Sequence, residues 1–268
     1  MQHAKELSRV AGLCALLGCL GAAPTVLADD SARLPAVDGV NASLSGFAGA
    51  GEDLEFYGGG GKVAVPLGTR FGLQLDGIVA GIDSDDLGDV AAYGGAAHLF
   101  WRDPTQGLIG LYGHYAYYDV LDGAEVFAAG LEGALYLGRF TLEGVAGVEG
   151  GEVDTDAGNF DLDTRFFNFA RLGYYPLDDL KLSLGHSYLF GSHTGSLDAE
   201  WGFSAGGGTM ISLFASGSVS EHGDGAGLAG LRLYLGQRDK SLIRRHREGD
   251  PTIGTGNNAT ADIARRAG

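Results

Sequence analysis

The chain has 268 residues, which is enough for one large β domain or two small ones. Glycine accounts for 48 residues, but there is no G-X-Y period and 45% of the residues are hydrophobic, which excludes collagen and argues against disorder. The 34 acidic and 18 basic residues give a net charge of -16, and Cys14 and Cys19 are the two cysteines, so the later chain has no disulfide framework or cysteine metal site.

The first 28 residues have the pattern of a cleaved export signal. Lys5 and Arg9 precede an uncharged run over 10–28 that ends in small residues. This run is long enough for a membrane anchor to be considered, but Pro24 interrupts it, so a cleaved signal is favoured. The tetrapeptide LLGC, which ends at Cys19, resembles a lipobox, and lipoprotein processing at Cys19 is therefore the alternative.

Apolar and polar residues alternate along most of the chain after residue 40, and the pattern is clearest over 129–151. Apolar side chains share one face there, and Glu132 and Glu143 lie on the other face, around a two-residue turn at 138–139. The same period-two pattern predicts twelve strands in all. The predicted strands are 40–50, 57–65, 71–81, 90–101, 108–118, 129–137, 140–151, 164–175, 180–190, 197–205, 210–220 and 226–235.

The links between these strands alternate between two kinds. One set is short, at 66–70, 102–106, 138–139, 176–179 and 206–208. The other set, at 51–55, 82–89, 119–125, 150–163, 191–198 and 221–225, contains 18 acidic residues and neither Lys nor Arg. This alternation is typical of turns that emerge at opposite rims, so the fold class predicted is an all-β, antiparallel up-and-down transmembrane β-barrel of about 12 strands, with 10–14 compatible. A soluble exported β protein is the alternative.

With these features, residues 38–236 resemble bacterial outer-membrane porin-like barrels. The sequence GQRDKSLIRRHREGDP, over 236–251, resembles a stretch found in an uncharacterised subgroup of that family. The resemblance implies a location in the outer membrane, contact with its lipid and lipopolysaccharide, and insertion by the barrel-assembly machinery. One departure is that the chain continues for more than thirty residues beyond its last predicted strand, whereas such barrels usually end there with an aromatic residue.

The domain organisation predicted is a signal over 1–28, a leader over 29–37, the barrel over 38–236 and a tail over 237–268. The tail holds seven basic and four acidic residues, whereas 29–236 has a net charge of -20. We expect a solvated, mobile periplasmic tail with at most a short helix over 241–247. A nucleic-acid partner is not expected, because no aromatic residues are interleaved with the basic ones.

If the apolar faces contact lipid, the charged residues of the strands line the lumen. These candidates are Lys62, Asp76, His98, His114, Glu132, Glu143, Glu149, Arg165, Arg171, Lys181, Glu200 and Arg232. Two arrangements are possible: the charges pair and fill a narrow lumen, or acidic and basic walls face each other across an open channel. The clustering of acids on the sixth and seventh strands, and of bases on the next two, favours separate walls.

An acidic rim is predicted from the second set of links, with Asp83, Asp85, Asp86, Asp89, Asp154, Asp156 and Asp161 as its main residues. Such a rim concentrates cations, and divalent ions there can bridge to lipopolysaccharide. The segment that begins at Asp154 is superficially similar to a calcium loop, but its twelfth position is Arg165 rather than Glu, so no metal site is predicted. The glycines at 58–61 precede a strand rather than a helix, and no cofactor is predicted either.

Catalysis is not expected from this sequence. His186 and Ser187 are adjacent in a strand and therefore point to opposite faces, and the pair Ser192-His193 has no evident acid to orient it. The function predicted is a narrow channel for small polar or cationic solutes. The alternative is a closed structural barrel that interacts through its acidic loops, and the sequence carries no signal for an oligomeric state.

Overall fold

A computed structural model of the protein describes residues 34–85, 88–155, 158–236 and 238–251. The predicted signal, Cys19, and the rim residues Asp86 and Asp156 lie outside these ranges. The described residues form a closed barrel of twelve antiparallel strands, in which each strand pairs with its neighbours in sequence and β1 also pairs with β12. The predicted fold class and strand number are confirmed.

Each strand contains the core of one predicted strand, and most are longer than predicted. The strands are β1 (Asn41–Gly51), β2 (Leu54–Leu67), β3 (Phe71–Ser84), β4 (Gly88–Asp103), β5 (Gly107–Tyr118), β6 (Gly123–Leu137), β7 (Phe140–Thr155), β8 (Gly158–Leu177), β9 (Leu180–Leu189), β10 (Ser192–Gly206), β11 (Thr209–Ser220) and β12 (Gly225–Leu235). A single helix, α1 (Leu242–Glu248), follows them within the described residues.

The turns define two rims that differ in charge rather than in length. We call the rim with the turns after β2, β4, β6, β8 and β10 the tight-turn rim, and the other the acidic rim. The long acidic loops expected at the acidic rim are largely strand: Asp83 pairs with Asp89, and Asp154 pairs with Asn159. Acidic side chains do not prevent this pairing, because the backbone groups bond to each other while side chains at the rim reach water.

Apolar side chains point outward and charged ones inward, as the period-two pattern requires. In the β6–β7 hairpin, Leu135 is 54% exposed, whereas Glu143 is only 3% exposed. Large apolar side chains are exposed on every strand of the barrel, and a surface of this kind is stable in lipid rather than in water. Outward aromatic pairs near the tight-turn rim, Phe140 with Tyr174 and Trp201 with Phe203, have ring centroids 4.8 and 4.9 Å apart.

Both ends of the described chain lie in the mouth at the tight-turn rim. We call residues 34–40 and 238–251 the terminal segments. Asp38 joins them, because its N–H donates to the carbonyl of Glu248 at 2.8 Å and its carboxylate lies 3.0 Å from the Lys240 ammonium. Lys240 is 7% exposed, which differs from the solvated tail expected from the sequence.

Helix α1 is held at this mouth by its N-terminus and by several buried side chains. The first two N–H groups, of Leu242 and Ile243, donate to the Asp179 carboxylate and the Asp178 carbonyl in the turn after β8, at 2.9 and 3.0 Å. Leu242 is buried against Met210 and Tyr234. Among the described residues, no helix has the length and hydrophobicity needed to cross a membrane.

Candidate functional site

The lumen has an apolar collar near the acidic rim. Its buried side chains come from the strands on both sides of the β1–β12 closure, and Phe56 is 2% exposed. The collar consists of Phe56, Ile82, Val90, Ala92, Phe214 and Leu228, together with Ala80. Because Phe56 and Ile82 lie just outside the predicted strands, the period-two pattern did not assign them to the lumen.

Below the collar, one wall of the lumen carries a histidine between two carboxylates. His98 Nδ1 lies 2.6 Å from Glu132 Oε2, and His98 Nε2 lies 3.5 Å from Asp76 Oδ2. Asp76 also contacts the Lys62 ammonium at 3.4 Å. The side chains of His98 and Glu132 have no solvent exposure, so this group is part of the packed wall.

The adjoining strands β7–β10 carry a second ionic group, which is centred on Glu143. Its Oε1 lies 3.4 Å from Arg171 Nη1 and 3.3 Å from Lys181 Nζ, while Arg171 Nε lies 3.4 Å from Asp198 Oδ2. The carboxylate is thus shared by two cations, and all three side chains are almost fully buried. Acids of β7 therefore pair with bases of β8 and β9, and the expectation of separate acidic and basic walls is not met.

A third group connects the strands to helix α1. Glu200 accepts hydrogen bonds from Ser212, Arg232 and Tyr234 at 2.6, 2.9 and 2.8 Å. The Tyr234 hydroxyl lies 2.9 Å from Nε2 of His246, and the Tyr175 hydroxyl lies 2.8 Å from its Nδ1. Since Tyr234 donates its proton to Glu200, its oxygen accepts from Nε2–H of His246, and Nδ1 then accepts from Tyr175.

This arrangement suits an uncharged imidazole at the mouth of the barrel. Burial lowers the pKa of His246 from 6.5 to about 3, although the nearby Glu200 carboxylate opposes the change. Both ring nitrogens have a hydrogen-bond partner in the neutral form. His246 is therefore held at the mouth as a neutral group with both ring nitrogens bonded.

Arg102 of β4 attaches the barrel wall to both terminal segments. Its Nε donates to the Ala36 carbonyl, and its Nη2 donates to the Gly249 carbonyl at 2.7 Å. The side chain is among the most deeply buried of the described residues and its guanidinium lies over the Phe100 ring. One cation of the wall thus holds residues that are more than 200 positions apart in sequence.

Little empty space remains between these groups. One cavity of about 30 Å³ lies beside Lys62, Asp76 and Arg232. A second cavity, of about 50 Å³, has room for a few water molecules. Charged side chains of the strands line its sides, among them Arg171, Asp198 and Glu200. Its boundary also includes His246 and Asp250, which belong to a terminal segment and not to the wall.

Comparison with known proteins agrees with this geometry. The translocator domain of the autotransporter NalP from Neisseria meningitidis is 12% identical to this chain, with a TM-score of 0.55 over 87% of this chain and 96% of that one. A Pseudomonas putida F1 outer membrane channel is also 12% identical, with a TM-score of 0.54 over 80% of this chain and 99% of that one. The chain has the fold of outer-membrane β-barrels. No protein-family model and no curated protein matches the sequence.

The structure places most of the predicted lumen residues on the inward face of the barrel. Glu149 accepts a hydrogen bond from the Phe190 N–H, and the half-buried His114 stacks on Tyr112 with ring centroids 6.4 Å apart. The other inward candidates belong to the three ionic groups described above: Lys62, Asp76, His98, Glu132, Glu143, Arg171, Lys181, Glu200 and Arg232.

Arg165 was predicted to line the lumen, and this prediction is wrong. Half of its side chain is exposed, and it lies 4.0 Å from Asp163. The reason is the length of β8, whose 20 residues extend beyond β9: the pairing of the two strands reaches only to Asn168. Arg165 therefore lies on the part of β8 that is not paired with β9.

At the acidic rim, the predicted acidic residues that the structure describes lie in strands and in one turn. Asp83, Asp89 and Asp161 are exposed strand residues, Asp85 is an exposed turn residue, and Asp154 is half-buried. They do not form a compact cluster with ligand geometry. Within the described ranges, no group of three or more His, Cys, Asp or Glu side chains is arranged to hold a metal ion.

Several residues of the site are absent from the candidates predicted from the sequence. Asp198 and Tyr234 have the same strand parity as the predicted Glu200 and Arg232, so alternation alone would have found them. His246 is harder to find, because its position in the lumen depends on where α1 docks. The available signal was the spacing of Leu242 and His246, which places both on one helix face.

Proposed function

We propose that the protein is a narrow channel of the bacterial outer membrane for small polar or cationic solutes, closed in the described conformation by its terminal segments. The observation that carries this proposal is the boundary of the larger of these two cavities. Strand residues form its sides, but His246, Asp250 and Pro251 of a terminal segment contribute to its lining. Movement of that segment would open the cavity towards the tight-turn rim.

The charged lining supports a pathway rather than a purely structural core. Burying ions costs several kcal/mol each, and well-packed apolar side chains of similar volume are often at least as stabilising. The lumen nevertheless contains Glu143, Arg171 and Lys181 at the level of the cavity. Charged groups at this depth are what a permeating polar solute requires as partners when it loses water.

The terminal segments have the properties of a removable closure. They are held by ion pairs and hydrogen bonds, such as those from Arg102 to Gly249 and from Arg245 to the Gly208 carbonyl, at 2.7 and 2.8 Å. Each segment also has one apolar anchor, Val37 in the first and Leu242 in the second. Polar contacts of this kind can be replaced by water when the segment leaves, whereas removing a strand would break the barrel.

Selectivity for cations follows from the charges at the entrance. The sequence segments that form the acidic rim contain 18 acidic residues without Lys or Arg. Their field extends about 10 Å at 0.1 M salt, which is far enough to concentrate cations at the lumen entrance. The apolar collar behind this rim would then act as a narrow, weakly wetted constriction.

A closed structural barrel is the second candidate, and the small size of the cavity favours it. The cavity of about 50 Å³ is too small for a hydrated ion in the described conformation. In that case the acidic rim acts on external partners, and the ionic groups only stabilise the wall.

No catalytic role is proposed in either case, since the His186 side chain meets another histidine rather than a serine.

Conductance in planar bilayers separates the two candidates. We expect brief openings from the wild type, and roughly tenfold more open time from His246→Ala, because the variant leaves the Tyr175 and Tyr234 hydroxyls without their buried partner. Ion substitution should give a reversal potential that favours cations. Arg244→Ala is the control, since this exposed arginine of α1 bonds Glu248 in the same helix. Silence from both wild type and His246→Ala would contradict the channel.

A further inference from the structure

Two histidines meet on the outer surface of the barrel near the acidic rim. His186 of β9 and His193 of β10 lie on either side of the Phe190–Gly191 turn, and both are exposed. Nε2 of His186 is 3.1 Å from Nδ1 of His193, with ring centroids 5.3 Å apart and the ring planes inclined by 35°. We propose that this pair binds one divalent transition-metal ion, with Cu²⁺ preferred.

The distance between the two nitrogens fits ligation of a common ion. Imidazole nitrogens bind such ions at about 2.0–2.1 Å, so two ligands at a right angle are roughly 2.9 Å apart and two tetrahedral ligands roughly 3.4 Å apart. The observed 3.1 Å lies between these limits. The separation of the nitrogens therefore needs little change, while both rings turn so that their lone pairs point to the ion instead of along the N–N line.

His193 is positioned by its neighbours before any ion binds. Its ring packs on Tyr188 of β9 with centroids 4.6 Å apart. Its backbone is held by Glu221, which accepts the His193 N–H at 3.1 Å and donates its own N–H to the His193 carbonyl at 2.9 Å. Because His193 is already fixed, less conformational entropy is lost when the two imidazoles bind one ion.

The donor set determines the kind of ion. Neutral imidazole is a ligand for Zn²⁺, Ni²⁺ and Cu²⁺, and the usual order of affinities gives Cu²⁺ the strongest binding. In the metal-free protein, one of the two nitrogens donates its N–H to the other. On metal binding, the donor ring takes its other tautomer, with the proton on the ring nitrogen that faces away from the ion, so that both facing nitrogens have a free lone pair. Because the described residues provide no third His, Cys, Asp or Glu ligand in place, water completes the coordination.

This site is independent of the proposed channel. The pair lies on the outward face, whereas the ionic groups of the lumen face inward. No metal site was predicted here from the sequence, in which the immediate neighbour of His186 is Ser187. The relevant neighbour is seven residues away, across a hairpin turn whose register brings His193 opposite Tyr188.

Titration of the purified full chain with CuCl₂, in detergent and without a histidine tag, tests the proposal. Calorimetry should show a class of one Cu²⁺ per chain that is weakened at least tenfold in His186→Gln and in His193→Gln. Electron paramagnetic resonance should show two-nitrogen ligation in the wild type only. His222→Gln is the matched control, because His222 is an exposed histidine of the same rim outside the pair, and it should retain the full affinity.

Two results would overturn the assignment. One is unchanged Cu²⁺ affinity in both single variants. The other is an equal loss of affinity in His222→Gln, which would indicate general binding to exposed histidines. Because His186 and His193 are exposed, the variants should keep the wild-type shift between folded and heat-denatured bands on gels, and this shift shows that any lost binding does not come from unfolding.

Discussion

The hydroxyl of Tyr234, in the last strand, lies 2.9 Å from Nε2 of His246, in the helix that follows it. The same hydroxyl donates to Glu200 of β10, so the helix is bonded directly to the charged lining of the lumen. Tyr175 of β8 holds the other ring nitrogen at 2.8 Å. Docking of α1 at the mouth therefore depends on residues that also line the lumen.

The shared carboxylate of Glu143 should be essential for stability. Glu143→Gln leaves Arg171 and Lys181 buried with weaker partners, so we expect a loss of about 3–5 kcal/mol in the free energy of unfolding. Urea unfolding in detergent micelles measures this change. The matched control is Asp178→Asn, which removes an exposed ion pair with Arg139 and should cost about 1 kcal/mol or less. Equal losses in the two variants would contradict the buried network.

Docking of the C-terminal segment should respond to pH through two opposing groups. His246 has a pKa of about 3 when docked, against 6.5 for a free imidazole, so its contribution to docking is complete above pH 6.5 and is lost as the pH falls towards 3. Burial raises the pKa of Asp250 to about 6, against 3.8 for a free carboxyl, although Lys62 and Arg102 oppose this. Its cost to docking is therefore complete above pH 6 and disappears towards pH 3.8.

Asp250→Asn separates these two effects. In the wild type, acidification from pH 7 to pH 5 weakens docking through His246 and strengthens it through Asp250, so we expect little net change in open time. In the variant only the His246 effect remains, and open time should rise on the order of tenfold at pH 5 relative to pH 7. At pH 7 the variant should open less than the wild type, because it buries no charge.

The charged groups nearest His246 are the same in both proteins: Glu200, Lys181, Arg232 and Glu143. Identical pH profiles would show that Asp250 is not involved.

The orientation of the barrel can be tested by cysteine labelling. The acidic rim is predicted to face the outside of the cell, so Asp85→Cys should react with an impermeant maleimide in intact cells. Asp178→Cys, in an exposed turn of the tight-turn rim, should react only after the outer membrane is permeabilised. Labelling in the opposite order would invert the orientation.

The fold could be predicted from the sequence because apolar and polar residues alternate with a period of two in almost every strand. Leu135 and Glu143 illustrate this, since each lies on the face that alternation assigns to it. The pattern was less informative at the acidic rim, where strands continue through segments rich in Asp and Gly. Backbone pairing determines the strand ends there, and pairing depends on the neighbouring strand rather than on local composition.

The site was only partly accessible for a related reason. Alternation identifies which side chains point inward, but not which of them meet, and so it did not predict that Glu143 is shared by two cations. Arg165 has the parity of the inward residues of β8. It nevertheless lies outside the lumen, because β8 extends beyond the end of its pairing with β9. His246 belongs to a segment whose position is decided by tertiary contacts such as those from Asp179 and Tyr234.

The measurement that tests the central claim most directly is the conductance of a reversibly locked barrel. A Cβ atom placed on Gly249 would lie 3.3 Å from Cγ of Asn41 on β1, which is close to the separation of Cβ and the opposing sulfur in a disulfide. The variant Asn41→Cys/Gly249→Cys should therefore attach the C-terminal segment to the wall when oxidised. Gly249→Cys alone is the control for the substitution.

We predict that the oxidised double variant is silent in planar bilayers, and that reduction with dithiothreitol restores cation-selective openings at the wild-type level. The single variant should conduct equally before and after reduction. Equal conductance of the oxidised and reduced double variant, with the disulfide verified by mass spectrometry, would contradict closure by the terminal segments.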